Sequence, residues 1–283
     1  MAGVYLTPGT LAYVWKSSAT LVLLLAGVVL LLPLDRWLFG LPVSARVVAG
    51  ALSWAWFAWR LRLAAPRDRL LFMALFAPLL LLALAPVNTS LDPRHMVVLG
   101  SALVAAVALP AMMLRGTDVL DFRLFPRRVD WVDIGYTLLA VPLAWLAFAI
   151  YFGVLSPEVP LNWSLPPEPD TWELVKLFVG INAVGIWDEL FFINTSYAIL
   201  RAMFPPRIAN PAQSVIYVSV LWDMAFSGWG PIFVGILALT QGAMYERSRV
   251  LLWVLIVHLI VDYFLFQGIV ETYYPNLDVW WHP

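Results

Sequence analysis

Residues 96–114, "MVVLGSALVAAVALPAMML", run without one charged side chain. As a helix rising 1.5 Å per residue, this stretch reaches about 29 Å, close to the thickness of a bilayer's hydrocarbon core. No face of such a helix is polar enough to meet water, and lipid offers the backbone no hydrogen-bond partner, so the helix must satisfy itself. Comparable stretches lie near 17–34, 41–59, 70–86, 131–155, 171–200, 212–227, 231–246 and 250–269, which makes nine. The fold class that follows is an all-α polytopic membrane protein of about nine transmembrane helices. Composition agrees, at 62% hydrophobic and 12% charged, where a soluble domain is about 45–50% apolar and about 25% charged. A net charge of −1 excludes the basic footprint of a nucleic-acid-binding protein. The absence of cysteine excludes disulfides, zinc thiolates and iron–sulfur clusters. The 15 tryptophans suit interfacial belts.

The connecting segments test the count. "RLRLAAPRDR" (60–69), "RGTDVLDFRLFPRRVD" (115–130), "RAMFPPR" (201–207) and "ERSR" (246–249) carry most of the basic residues. With Lys16 they place 13 of the 17 Lys and Arg on one side of a nine-span chain, leaving Arg36, Arg46, Arg94 and Lys176 on the other. The positive-inside rule then sets the N-terminus in the cytoplasm and the C-terminus outside, as in a bacterial inner membrane. "SSATLVLLLAGVVLLLPL" after Lys16 reads as a first span and not as a removed signal peptide. The acidic, Pro-rich loop "SPEVPLNWSLPPEPD" (156–170) separates five front spans from four back ones. Asn88-Thr89-Ser90 and Asn162-Trp163-Ser164 match the short glycosylation pattern.

Polar residues deep in the back spans are few. "GIWDELFFIN" (185–194) holds Asp188 and Glu189 side by side, the seventh span holds Asp223, and the ninth holds His258 and Asp262. Counted from the basic edge, Glu189 and Asp262 lie roughly 18 Å deep, Asp223 roughly 16 Å and His258 roughly 12 Å. Three helices therefore bring acids and one imidazole to a shared level, with Glu189 and His258 expected within about 8 Å of each other, near enough to share a water. His258 and Asp262, spaced i, i+4, share a helix face. Ionisable residues inside a span mark functional sites more often than packing. Asn194, Thr195 and Gln241 read as helix-packing groups. Four carboxylates with one histidine cannot all be charged without a compensating cation: either some hold protons or a cation binds. Glu189, Asp223, His258 and Asp262 form a donor set suited to Mg²⁺, Mn²⁺, Fe²⁺ or Zn²⁺.

"QGAMYERSRVLLWVLIVHLIVDYF" (241–264) resembles the closing motif of the CPBP family, the CAAX-prenyl endopeptidase and bacteriocin-processing intramembrane proteases. In that family a G-x-x-Y-x-R-(T/S) turn leads into a helix bearing H-x-x-x-(N/D). Gly242, Tyr245, Arg247 and Ser248 match the turn, and His258 with Asp262 match the helix. "WDELFFI" (187–193) is similar to the family's E-E-x-x-x-R, and Asp223 falls about where the family has the His of F-x-x-x-H. Three positions depart: Asp188 stands for the first Glu, which the family uses to activate water, Ile193 for the Arg, and Asp223 for the middle His. The resemblance covers about 171–268. It implies a CPBP-like helical membrane core over 131–283, preceded by about four spans over 1–130.

Three functions follow as expectations. In an intramembrane endopeptidase acting on a membrane-associated or prenylated protein, Asp188 or Glu189 is the base on a water, and Asp223, His258 and Asp262 orient it or stabilise the oxyanion. In a catalytically degenerate scaffold, the same fold binds and stabilises a partner membrane protein or complex. In a metal- or proton-dependent enzyme, the acidic cluster acts on a lipid or isoprenoid. All three place the chain in a lipid bilayer, and none involves nucleic acid. The topology is checked by a reporter fused after Pro283, which should read as external. A cytoplasmic reading means one span fewer, with the 212–246 pair merged or re-entrant.

Overall fold

The computed structural model describes residues 8–32, 41–85, 89–90, 92–155, 163–165, 168–222 and 229–277. These residues form α1 (Pro8–Leu31), α2 (Val43–Leu61), α3 (Pro66–Leu84), α4 (Pro93–Met113) and α5 (Trp131–Ile150), the last running into a π-helical turn, Tyr151–Leu155. Then come α6 (Thr171–Asp188), a π-helical segment Glu189–Tyr197 and α7 (Ala198–Met203), which together make one continuous rod. The remaining helices are α8 (Pro206–Leu221), α9 (Gly230–Ser248) and α10 (Leu251–Tyr273). Helices thus lie within the described part of each of the nine apolar stretches. Among the described residues, three are long and apolar enough to cross a membrane by length and composition: Pro93–Met113, Trp131–Leu155 and Leu251–Tyr273. The others carry polar or basic residues, or are short. The 16 residues of α8 reach only about 24 Å, and Gln213, Ser214 and Ser219 are buried in it.

Among the described residues the one strand pairing is a two-residue parallel bridge, Thr89 opposite Trp163 and Ser90 opposite Ser164, joining the segments that follow α3 and α5. Asn88 and Asn162, the acceptor positions of the two glycosylation patterns, lie outside the described residues.

One apolar core connects the front helices to the back ones. Leu24, Phe57, Phe72 and Leu75 join Phe192, Phe204 and Ile216 in a single cluster. α1 lies against α8, α3 against α7, and α4 against the π segment. Within the front helices, Trp54 Nε1–H on α2 donates to the Leu24 carbonyl of α1 at 3.1 Å, and across the front–back seam Trp187 Nε1–H on α6 donates to the Leu103 carbonyl of α4 at 2.8 Å. Trp187 directly precedes Asp188, so the second bond fixes the approach of α6 to the acidic pair.

The ends of the helices are tied down by specific groups. Asp170 and Glu173 form a capping box at the start of α6, each carboxylate accepting the other residue's backbone N–H. α9 turns into α10 through Arg249, whose φ of 53° puts a non-glycine residue in the left-handed region. Its N–H reaches back to the Tyr245 carbonyl at 2.8 Å. The first turn of α10 has no side-chain cap. Instead the Leu251 and Leu252 N–H groups donate to the Arg123 and Leu124 carbonyls, at 2.9 and 3.1 Å. The strap between α4 and α5 thereby supplies acceptors that a helix start otherwise lacks. At the end of that strap Asp130 caps α5 and binds Arg247. The Val132 N–H, and then the Arg247 guanidinium, hold its carboxyl below the usual carboxylate range.

Gly242, part of the motif turn, faces Asn210 on α8, and a Cβ there would overlap the Asn210 side-chain amide. That amide donates to the Leu239 carbonyl at 2.9 Å, so it is not free to swing away. Gly242→Ala should therefore cost about 1–3 kcal/mol of stability, read as a lowered unfolding midpoint in detergent. An unchanged midpoint would mean that α8 and α9 separate without cost.

Candidate functional site

Consecutive residues on an α-helix diverge by about 100°, yet Asp188 and Glu189 both reach one imidazole. They do so where α6 gives way to the π segment, a winding often found at functional sites. His258 enters from α10 between them. Its Nδ1 lies 2.6 Å from Glu189 Oε1, at hydrogen-bond distance. Its Nε2 lies 3.6 Å from Asp188 Oδ2 and 3.6 Å from Asp262 Oδ1. One imidazole thus has one acid on its Nδ1 edge and two near its Nε2 edge. Glu189 is 0% exposed, and Asp188, His258 and Asp262 are all buried. Asp223 lies outside the described residues.

Tyr217 on α8 completes the cluster. Its O–H donates to Asp188 Oδ2 at 3.3 Å and lies 3.4 Å from His258 Nδ1. Its ring packs on Phe192 with centroids 4.1 Å apart. Sequence reasoning passes over Tyr217. A lone aromatic in an apolar helix reads as core, and only its place six residues before Asp223 hints at more. Gly185 is missed for a similar reason. A Cβ there would overlap Asp262 Oδ2 and press on the His258 ring, so glycine is what lets α10 seat its two polar residues against α6.

A cavity of about 840 Å³ lies beside this cluster, bounded by α4, α5, α6, α8, α9 and α10. Its walls are almost wholly aliphatic and aromatic. Asp188, Tyr217, His258 and Asp262 stand on its wall, while Glu189 sits behind the imidazole and off the lining. Asp188 Oδ1, Glu189 Oε2 and Asp262 Oδ2 are buried with no hydrogen-bond partner among the described residues. Buried oxygens of this kind call for carboxyl protons, water or a substrate group.

The metal centre expected on Glu189, Asp223, His258 and Asp262 is described only in part, since Asp223 lies outside the described residues. Among the described residues no group of three His, Asp or Glu is arranged to hold a metal ion. Glu189 and the two aspartates address opposite nitrogens of His258, so they do not converge on one point. Of the four donors expected, Glu189, His258 and Asp262 do not form such a set, and Asp223 lies outside the described residues. Asn194, Thr195 and Gln241 pack as structural groups. Asn194 Oδ1 accepts from Tyr245 O–H at 2.9 Å, Thr195 Oγ1–H donates to the Leu190 carbonyl at 2.8 Å, and Gln241 Nε2–H to the Val254 carbonyl at 3.1 Å. Ile193, where the motif has Arg, is fully buried in the apolar core.

Residues 170–264 match the family model described as Type II CAAX prenyl endopeptidase Rce1-like. The matched stretch contains the acidic pair, the glycine–tyrosine turn, His258 and Asp262, so the resemblance to the CPBP family holds over the segment that carries the site. Comparison with characterised proteins and with solved structures gives no match. With its apolar helices, the chain is an integral membrane protein, and its residues 170–264 are similar to the Rce1-like CAAX endopeptidases.

Gly185→Ala tests the seat directly. The added methyl should push α10 off α6 and part His258 from Asp188 and Glu189. The expected result is a loss of about 1–3 kcal/mol in stability, with loss of whatever activity the cluster performs. Wild-type stability and activity in this variant would show that the close approach at Gly185 is not needed.

Proposed function

We propose that the chain is a CPBP-like intramembrane endopeptidase acting on a membrane-associated or prenylated protein. One observation carries this reading: an acid–imidazole–acid cluster stands on the wall of a large apolar cavity, with one acid held out of the cavity behind the imidazole. The roles divide accordingly. Glu189, off the lining, accepts the Nδ1–H of His258 and fixes the ring's orientation, as the third member of a nucleophile–base–acid relay does. Asp188, on the wall and in the position of the family's water-activating Glu, takes the proton from an attacking water. Tyr217 O–H, within reach of the same oxygen, donates to the oxyanion that forms on the scissile carbonyl. Asp262 balances charge at the Nε2 edge of His258, which is the cation available where Ile193 supplies none. The proton held by Asp188 passes to the leaving amine as the tetrahedral intermediate collapses.

In this reading the back spans, 131–283, are the protease core, and the four front spans, 1–130, brace it. The N-terminus is cytoplasmic and the C-terminus external, in a bacterial inner membrane. The cavity takes the apolar part of the substrate, and the cluster cuts toward the cytoplasmic half.

A second reading is a scaffold that keeps the fold and has lost catalysis. The buried Ile193 favours it, since the position that carries a guanidinium in the family is here part of the packed core. The two readings separate on a farnesylated CAAX peptide presented to the purified protein in detergent. The protease reading predicts cleavage by the wild type, a 10²–10⁴-fold loss in Asp188→Asn and in His258→Ala, and partial retention in Asp188→Glu, which restores the family's residue. Absence of cleavage by the wild type, or activity untouched in Asp188→Asn, contradicts it.

A further inference from the structure

The strap between α4 and α5 has two faces with different chemistry. Its inner face is backbone and ion pairs: the Arg123 and Leu124 carbonyls bind the first N–H groups of α10, the Asp121 carbonyl accepts from Tyr245 O–H at 3.4 Å, and Asp130 holds Arg247. Its outer face is apolar and basic. Phe122, Leu124 and Val129 are exposed, Phe125 is 68% exposed, and Trp131, the first residue of α5, is 82% exposed. Arg115, Arg127 and Arg128 are exposed among them. Asp121 is paired with Arg123 and Asp130 with Arg247, and the three arginines outnumber Asp118, the remaining acid of the strap.

The helices on either side of the strap are two of those long and apolar enough to cross a membrane. A short link between two such helices lies at a membrane surface. Aromatic and aliphatic side chains interleaved with arginine are what the headgroup layer of an anionic leaflet accepts. We propose that this strap docks on anionic lipid headgroups, and that the docked strap holds the first turn of α10, about two helical turns before His258. The lipid surface then sets how firmly the acid–imidazole cluster is held. This does not depend on the cluster being proteolytic.

The test uses the full chain in nanodiscs of phosphatidylcholine alone and of phosphatidylcholine mixed with phosphatidylglycerol. Hydrogen exchange is followed in peptides covering 119–130 and 250–257. Each arginine near an anionic surface favours the docked state by roughly fivefold. Exchange in both peptides should therefore slow several-fold in the anionic discs. Arg127→Gln with Arg128→Gln should remove most of that slowing, leaving what Arg115 contributes, and leave exchange in the neutral discs unchanged. Equal exchange in the two lipids overturns the docking, as does a slowing that the double substitution does not reduce. Slowing in the strap without slowing at the start of α10 overturns the coupling.

Discussion

A carboxylate sealed in a membrane protein must find a partner or keep its proton, and the rest of this structure is arranged around one such partner. Between Lys176 and Arg201 the chain has no basic residue, and none lies within α10. The acids of α6 therefore depend on His258. The hydrogen bond from His258 Nδ1 to Glu189 at 2.6 Å requires α10 to lie hard against α6, which Gly185 permits. It requires both acids to address one ring, which the change from α to π winding at Glu189 provides. The imidazole must also stand at a fixed depth, and the strap bound to the start of α10 sets that depth.

The same constraint orders the chemistry. In the proposed protease reading, Glu189 is behind the ring, the group left to meet a substrate is Asp188, and Tyr217 O–H helps its shorter side chain. In that reading the apolar cavity next to this edge takes the apolar part of a substrate whose peptide bond reaches the acids. Water excluded from such a space no longer screens the charges that develop there.

Much of this was legible in the sequence, for physical reasons. The nine apolar stretches exist because lipid tolerates no other backbone, and helices form in all of them. Matched depths along 1.5 Å rises were enough to bring Glu189 and His258 together, since helices starting at a common interface keep a common scale. Other features were not legible. The π segment packs Phe192 on Tyr217 of α8 and Tyr197 against Tyr245 of α9, contacts that no local pattern announces. Tyr217 looks like any core aromatic. The division of the acids between the two nitrogens, Glu189 at Nδ1 and Asp188 with Asp262 near Nε2, depends on ring orientation and not on spacing. The strap's role rests on two backbone carbonyls, which no side-chain reading of 115–130 reveals.

The central claim is that Glu189 holds the proton of His258 at Nδ1. The chain has three histidines, so ¹⁵N-histidine labelling gives a spectrum simple enough to assign with His258→Ala as reference. The account predicts a strongly deshielded proton on Nδ1 of His258, shielded from exchange, that moves sharply upfield in Glu189→Gln. A neutral ring carrying its only proton on Nε2, unmoved by that substitution, would contradict it.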